Sequence, residues 1–205
     1  MKFIIFRHGQ RDKLPGTDFE MVHYQIGLTE QGIGEIELLA EELKAKYRLN
    51  SENTLLYSSP MPRAVQSAEI VRQRLGLARF YLSKSFEETY IVRDYSGSIE
   101  ENIALEHYYY SHPDEVDEHS GFSYNMLVDR VFAQLREIAE QEIENVLVSA
   151  HGGVVRHSAF RVNPEIKPEV HPPTWDDIPT GAYSVFNYDK TTDNFTLEEH
   201  AIKPG

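Results

Sequence analysis

The 205-residue chain is long enough for one large domain with a substantial core, and apolar residues make up 40% of it. It contains no cysteine, which excludes disulfides, thiolate nucleophiles and cysteine-ligated metal centres. Lys and Arg number 20 against 33 Asp and Glu, so the formal net charge is −13. This negative field argues against binding to nucleic acid or anionic membranes, and any site for an anionic ligand needs a few focused cations.

The first apolar run, Met1–Phe6, is too short for a signal peptide, and no run approaches the ~20 apolar residues of a membrane span. We therefore expect a cytoplasmic protein. No internal repeat or low-complexity linker divides the sequence. The sequence thus predicts a single domain over residues 1–205.

Four short apolar runs predict buried β-strands, and helical patterns lie between them. The predicted strands are Phe3–Phe6, Thr54–Ser58, Asn145–Ala150 and Ala182–Tyr188. Their continuous apolar character indicates a sheet that is covered on both faces. The predicted helices run from a Thr29 cap to Tyr47, over Met61–Leu75 with Gly76 as the stop, over Ser123–Ile143 and over Gly153–Phe160. This alternation predicts an α/β fold, a three-layer α/β/α sandwich with a mainly parallel sheet.

A stretch over residues 94–121 interrupts the alternation. It contains Tyr108–Tyr110, three histidines and the acidic run Asp114–Glu118. We interpret it as an inserted, partly helical lid over one end of the sheet, with the tyrosines packing it onto the body. The histidines are separated by five and seven residues, which fits no tight ligand motif, so we expect no metal site there. Pro-rich residues 163–179 are expected to form a surface connection.

Polar motifs follow three of the predicted strands. Arg7-His8-Gly9 follows the first strand, Ser59–Arg63 the second and His151–Gly153 the third. Ligands of open α/β sheets bind outside the carboxyl ends of the strands, so we expect two arginines and two histidines to meet there. In a chain of charge −13 this cluster indicates an anion pocket.

The residue types of this cluster suit phosphoryl chemistry. A guanidinium binds phosphate oxygens through a bidentate fork and keeps its proton. Neighbouring positive charge favours the neutral form of a histidine, and a neutral imidazole can attack phosphorus to form a covalent intermediate. Arginines and a second histidine then stabilise the charge on the phosphoryl oxygens. Gly9, Gly152 and Gly153 are expected to allow the backbone to approach the ligand closely.

These motifs together resemble those of a known family. Arg7–Gln10 resembles the RHG signature of the histidine phosphatase superfamily, which has the phosphoglycerate mutase-like fold. Leu28–Gly32 is similar to its first-helix motif, Ser58–Ala64 to its second-arginine motif and Ser149–Arg156 to its C-terminal histidine motif. The matches stand in the family's order and place the chain in the phosphoglycerate mutase-like branch (branch 1).

The resemblance implies a role for each matched residue of the pocket. His8 would be the nucleophile that becomes phosphohistidine. Arg7, Arg63 and His151, with Gly152 beside them, would bind the phosphate. The family uses neither a metal ion nor another cofactor, so none is expected here.

The resemblance also implies a carboxylate that protonates the leaving group. In the family it follows the third strand of the family's fold, a strand that is not among the four predicted here, and Glu87 and Glu88 are both candidates. The spacing from the apolar Phe86 favours Glu88 and leaves Glu87 as the alternative. Arg11 is a further possible phosphate contact. Farther along the chain, we expect Arg156 to bond a carboxylate. We expect His157 to be a histidine on the helix surface or in the core.

The resemblance implies a metal-independent phosphatase that hydrolyses a phosphomonoester of a small substrate. The alternatives are a phosphoglycerate mutase-type phosphotransferase and a catalytically weak regulatory member that binds a phosphorylated ligand. Gln10–Gly27 lacks the longer mutase pattern, and Thr89–Gly97 replaces the expected glycine-rich segment, so hydrolysis is favoured over transfer. The sequence leaves the physiological substrate open, and also whether the chain is a monomer or a dimer.

Overall fold

Among the described residues, six strands form one mixed sheet in the order β3-β2-β4-β1-β5-β6. The computed structural model describes residues 1–12, 26–88, 99–118, 120–166 and 178–205. The strands are β1 (Lys2–Arg7), β2 (Thr54–Ser58), β3 (Tyr81–Leu82), β4 (Asn145–Ala150), β5 (Tyr183–Asp189) and β6 (Asn194–Ile202). β4 lies between β1 and β2 and pairs in parallel with both, and β3 is parallel to β2. β5 and β6 add an antiparallel ribbon beside β1, so the sheet is mainly parallel.

In the described parts of the chain, five α-helices and a short 3₁₀ helix accompany the sheet. They are α1 (Glu30–Tyr47), α2 (Pro62–Leu75), the 3₁₀ helix Lys84–Phe86, α3 (Ile99–Ser111), α4 (Tyr124–Ala139) and α5 (Gly152–Val162). The predicted Thr29 cap is present, since its hydroxyl accepts a hydrogen bond from the Gly32 amide at 3.0 Å. Gly76 ends α2 in the left-handed conformation at φ 68°, as its position after the apolar stripe predicts.

Side chains of β1 alternate between two apolar clusters, one on each face of the sheet. Ile4 and Phe6 pack with residues of α1 and α2, whereas Phe3 and Ile5 pack with residues of α4 and α5. Both faces are therefore covered by helices. This confirms the predicted three-layer α/β/α sandwich.

Apart from shifts of one or two residues at the ends of other elements, the structure departs from the predicted elements in three places. α4 ends at Ala139 instead of reaching Ile143, because the chain turns there and Glu142 takes a positive φ of 54°. β3 and β6 were not predicted. β3 has only two residues, and β6 is an edge strand whose polar side chains hide the apolar signal.

The predicted lid falls partly within the described residues. Residues 94–98 and 119 lie outside them, as do 89–93, 13–25 and 167–177, which belong to other segments singled out in the sequence. Tyr109 packs into the core and its hydroxyl donates to Asp117 at 3.1 Å, while Tyr110 packs against α4 and α5. Tyr108 is 42% exposed and bonds Glu115 of the insertion instead of the body. The role of this segment as a lid stays a prediction.

Among the residues described here, no helix combines the length and apolar character needed to cross a bilayer.

Candidate active site

The three polar motifs meet at the carboxyl ends of β1, β2 and β4, as the sequence predicts. The backbone connects them directly. The His8 amide donates to the Ala150 carbonyl at 3.0 Å, and the Ser59 amide donates to the Ser149 carbonyl at 2.9 Å. Because β4 lies between β1 and β2, the segments that follow all three strands face one small volume.

His8 is buried and is held in one tautomer by two hydrogen bonds. Its Nδ1 lies 2.7 Å from the Gly9 carbonyl oxygen, and the Arg63 Nε donates to its Nε2 at 2.9 Å. The proton therefore sits on Nδ1, and Nε2 carries the lone pair. Burial lowers the pKa of His8 well below its usual value, with further lowering by Arg63, Arg7 and Arg11. The arrangement presents a neutral imidazole nitrogen to the pocket at neutral pH.

Arg63 and His151 complete the side of the pocket opposite β1. Arg63 is the second residue of α2 and is only 1% exposed. His151 directly precedes α5, and its Nε2 lies 2.8 Å from the Ser59 hydroxyl. Its ring centre is 5.3 Å from that of His8, with an angle of 67° between the rings. The two imidazoles and the Arg63 guanidinium thus border one common space.

Arg7 lies beside the N-terminus of α5. Its guanidinium donates through Nη1 to the Ile178 carbonyl, and its Nε lies 3.5 Å from the point where a Cβ on Gly152 would stand. Arg11 pairs with Leu28 in an isolated bridge and is near enough to lower the pKa of His8. Both cations are therefore within electrostatic reach of the pocket.

Glu88 is placed against the first turn of α5. Its Oε2 accepts a hydrogen bond from the Gly153 amide at 3.3 Å. Burial raises the pKa of Glu88 against the opposing effects of Arg63, the Gly153 amide and two other arginines. A carboxyl that stays protonated to higher pH is suited to donate a proton.

Glu87 has different surroundings. Its backbone carbonyl accepts a hydrogen bond from the Arg130 guanidinium of α4. By contrast, the positive charges of the pocket residues Arg63 and Arg7 are near enough to oppose the rise in the pKa of the Glu88 carboxyl. The geometry therefore favours Glu88 over Glu87 as the candidate acid.

In the structure, other protein atoms lie where the Cβ atoms of the motif glycines would be. The sequence-based expectation was that glycines let the backbone approach a ligand. A Cβ on Gly9 would lie 2.2 Å from the Gly32 carbonyl oxygen, and a Cβ on Gly32 would lie 2.1 Å from that of Gln10. A Cβ on Gly153 would lie 2.4 Å from the Oε1 of Glu88. The glycines thus allow the RHG segment to pack on α1 and Glu88 to pack on α5.

Sequence reasoning missed two residues that surround these groups. The Ser59 hydroxyl bonds His151, and Arg130 bonds the backbone carbonyl that precedes Glu88. Ser59 could have been found, because it follows a predicted strand inside a recognised motif, whereas Arg130 stands within an amphipathic helix, where a polar residue carries no distinguishing signal. His157, expected on the helix surface or in the core, is buried one turn beyond Gly153. Within the described parts of the chain, no three His, Asp or Glu residues are clustered to hold a metal ion.

The fold and the clustered site define the structural class as the phosphoglycerate mutase-like α/β sandwich. The family model of the histidine phosphatase superfamily (branch 1) matches residues 3–200. The chain therefore belongs to this superfamily, which confirms the resemblance seen in its motifs. A comparison with curated protein sequences finds no match.

Solved structures with the same fold include three proteins named as phosphatases. A mycobacterial glucosyl-3-phosphoglycerate phosphatase in complex with inorganic phosphate has a TM-score of 0.72 and 17% identity, over 99% of this chain and 98% of that one. The protein histidine phosphatase SixA complexed with tungstate has a TM-score of 0.61 and 21% identity, over 98% and 97%. A phosphoserine phosphatase mutant from Entamoeba histolytica with phosphoserine has a TM-score of 0.68 and 17% identity, also over 98% and 97%. These likenesses establish the shared fold.

Proposed function

We propose that the chain is a metal-independent phosphatase that hydrolyses a phosphomonoester through a phosphohistidine intermediate. One observation carries the proposal: the Nε2 of His8 bears a lone pair in a buried pocket beside Arg63. The hydrogen bond from Nδ1 to the Gly9 carbonyl fixes that tautomer and aims the ring. A neutral imidazole surrounded by arginines is both nucleophilic and close to the charge it must attack.

In the first step the phosphate group binds between Arg7, Arg63 and His151. The Nε2 of His8 forms a bond to phosphorus while the bond from phosphorus to the leaving oxygen breaks. Arg63 exchanges its bond to Nε2 for bonds to the phosphoryl oxygens, where it stabilises the developing charge. The proton of Glu88 passes to the leaving oxygen, and the product is the free alcohol.

In the second step water hydrolyses the phosphohistidine. The Glu88 carboxylate accepts a proton from water, whose oxygen forms a bond to phosphorus. The bond between phosphorus and Nε2 breaks, which releases inorganic phosphate and restores neutral His8. Glu88 is protonated again and ready for the next turnover.

The substrate we propose is small and carries a phosphomonoester. Two of the structural neighbours are named as phosphatases of glucosyl-3-phosphoglycerate and of phosphoserine, which are small compounds. The net charge of −13 also disfavours large polyanions as substrates.

The test is hydrolysis of p-nitrophenyl phosphate in the presence of EDTA by the wild type, His8→Ala and His112→Ala. We expect hydrolysis by the wild type and the matched control His112→Ala, whose histidine is exposed in the insertion. We expect none by His8→Ala, because the nucleophile is gone. Trapped wild-type intermediate should carry phosphate in an acid-labile, base-stable bond.

Three results would overturn the proposal. Retained hydrolysis in a pure preparation of His8→Ala would remove His8 as the nucleophile. A wild type that binds vanadate without hydrolysing any phosphomonoester would point to a regulatory ligand-binding protein. Activity that depends on a bisphosphorylated primer and moves phosphate to a second hydroxyl would point to a mutase.

A further inference from the structure

A buried histidine that the proposed reaction does not use borders the space beside Gly153, as the candidate acid does. His157 stands on α5, one helical turn beyond Gly153, and is 6% exposed. The ring centre of Tyr124 lies 5.0 Å from that of His157, and the ring centre of Tyr110 lies 5.7 Å from it. The Tyr124 hydroxyl also donates to the His157 carbonyl at 3.1 Å. Aromatic packing thus fixes the position of this imidazole.

The two nitrogens of His157 face different partners. Nδ1 lies 3.5 Å from the Tyr110 hydroxyl oxygen, at the outer limit of a hydrogen bond. Nε2 lies 3.5 Å from the point where a Cβ on Gly153 would stand. With the Tyr110 hydroxyl as donor to Nδ1, the ring proton is on Nε2.

The Oε1 of Glu88 borders the same point beside Gly153. It lies 2.4 Å from that Cβ position, so Oε1 of Glu88 and Nε2 of His157 both border the space beside Gly153, although no hydrogen bond joins them in this structure. Oε1 is buried and has no hydrogen-bond partner among the described residues, whereas Oε2 is bonded to the Gly153 amide. A buried carboxyl oxygen without a partner costs free energy and leaves the direction of its proton undefined.

A neutral imidazole suits this position better than a charged group. Burial and Arg156 lower the pKa of His157 well below its usual value, so the ring is neutral at physiological pH. A positive charge at the same place would favour the Glu88 carboxylate and lower the pKa of the acid. A neutral N–H donor can orient the Glu88 carboxyl without lowering its pKa in this way.

We propose that His157 is a positioning residue for Glu88: with a small movement of either side chain across the space beside Gly153, its Nε2–H group donates to a lone pair of Oε1. The hydrogen of Oε1 then points at the leaving oxygen, and the Tyr110 hydroxyl keeps the imidazole in the required tautomer. The inference rests on the proposed function, because it assigns a support to the acid of that reaction. It also extends the site to the helix of the insertion, through Tyr110 of α3.

The experiment compares two substrates that differ in their need for a proton. Kinetics are measured with p-nitrophenyl phosphate, whose leaving group departs without help, and with β-glycerophosphate, whose alkoxide must be protonated. For His157→Leu we expect kcat on β-glycerophosphate to fall at least tenfold, with a change below threefold on p-nitrophenyl phosphate. His157→Gln, which retains an N–H donor, should recover most of the loss.

Coupling to Glu88 separates a positioning role from a structural one. In a Glu88→Gln background, His157→Leu should cause no further loss on β-glycerophosphate, because the acid it positions is absent. The control Phe160→Leu alters the same aromatic cluster without a polar change and should affect both substrates equally. If His157→Leu folds poorly, Tyr110→Phe gives the same test with the ring packing retained.

Equal slowing of both substrates by a folded His157 or Tyr110 variant would overturn the inference, as would a full additional loss in the Glu88→Gln background. A failure of the proposed function is distinguishable from these results. It would appear in the wild type and in His8→Ala, before any His157 variant is compared.

Discussion

At the residue scale, the candidate acid depends on contacts that no single motif contains. Glu88 follows the 3₁₀ helix, Gly153 opens α5, and Arg130 belongs to α4. The Gly153 amide holds one carboxyl oxygen, and Arg130 holds the backbone carbonyl before Glu88. Burial, rather than a neighbouring acid, raises the pKa of this group. The position of this candidate proton donor is therefore set by three separate segments of the chain.

Glu88→Gln should slow esters with poor leaving groups far more than activated aryl esters. A glutamine keeps the size of the side chain but has no acidic proton to give. Loss of a general acid typically costs 10²–10⁴-fold in rate, so we expect about this loss on β-glycerophosphate and much less on p-nitrophenyl phosphate. The measurement is kcat for both substrates.

Glu87→Gln is the matched control for that experiment, because it changes the adjacent carboxylate in the same way. It should leave the ratio of the two rates close to the wild-type value. If Glu87→Gln changes this ratio and Glu88→Gln does not, the acid is Glu87.

At the element scale, the contact between the RHG segment and α1 determines where His8 stands. The Gln10 amide donates to the Glu35 carboxylate at 2.9 Å, and Thr29 donates to the Gln10 side chain at 2.8 Å. Gly9 and Gly32 let the two backbones touch. The first-helix motif therefore holds the RHG segment, and with it His8, in place by packing and hydrogen bonds.

Gly32→Ala should destabilise the protein, although alanine is the better helix former. Its Cβ would lie 2.1 Å from the Gln10 carbonyl oxygen, so the backbone after His8 must move. Overpacking of this kind costs about 1–3 kcal/mol in the free energy of unfolding. Urea titration measures this change, and p-nitrophenyl phosphate hydrolysis should fall with it.

Gly34→Ala, two residues along the same helix, provides the control. A Cβ there meets nothing within 4 Å. Helix propensity then acts alone and should stabilise the protein by about 0.5–1 kcal/mol. A stability loss at both positions, or at neither, would contradict the packing argument.

The bounds predicted best from the sequence are those of strands that are covered on both faces. β2 and β4 begin and end as predicted, because both are continuous apolar runs covered on two faces. β3 and β6 lie at the sheet edges, where solvent exposure removes that pattern. The pocket residues were found because strand ends place them, whereas Arg130 and His157 depend on how α4 and α5 pack. That packing is a tertiary property with no local signal.

At the scale of the whole molecule, buried neutral histidines make stability depend on pH. The pKa values of His8 and His157 are lowered in the folded state, mainly by burial. The unfolded chain therefore takes up a proton near pH ~6.5 while the folded chain does not. Stability is lost as the pH falls below this value, by up to about 1.4 kcal/mol per pH unit for each histidine.

The free energy of unfolding from urea titrations at pH 7.5 and pH 5.5 tests this dependence. His157→Leu should lose less stability between the two pH values than the wild type does, because one of the two histidines with a lowered pKa is absent. His112→Leu replaces an exposed histidine and should keep the wild-type difference. A wild-type difference retained in His157→Leu would show that His157 does not titrate in this way.

The placement of β4 also governs the order in which the molecule can assemble during synthesis. β1 and β2 are made early, yet neither pairs with the other, and β4 joins them from much later in the chain. Until Asn145–Ala150 has been translated, both strands lack the central partner for their backbone N–H and C=O groups. The candidate pocket is also incomplete until then, because His151 directly follows β4. A nascent chain therefore carries two unpaired strands until β4 has been made, and exposed strands of this kind are prone to aggregate.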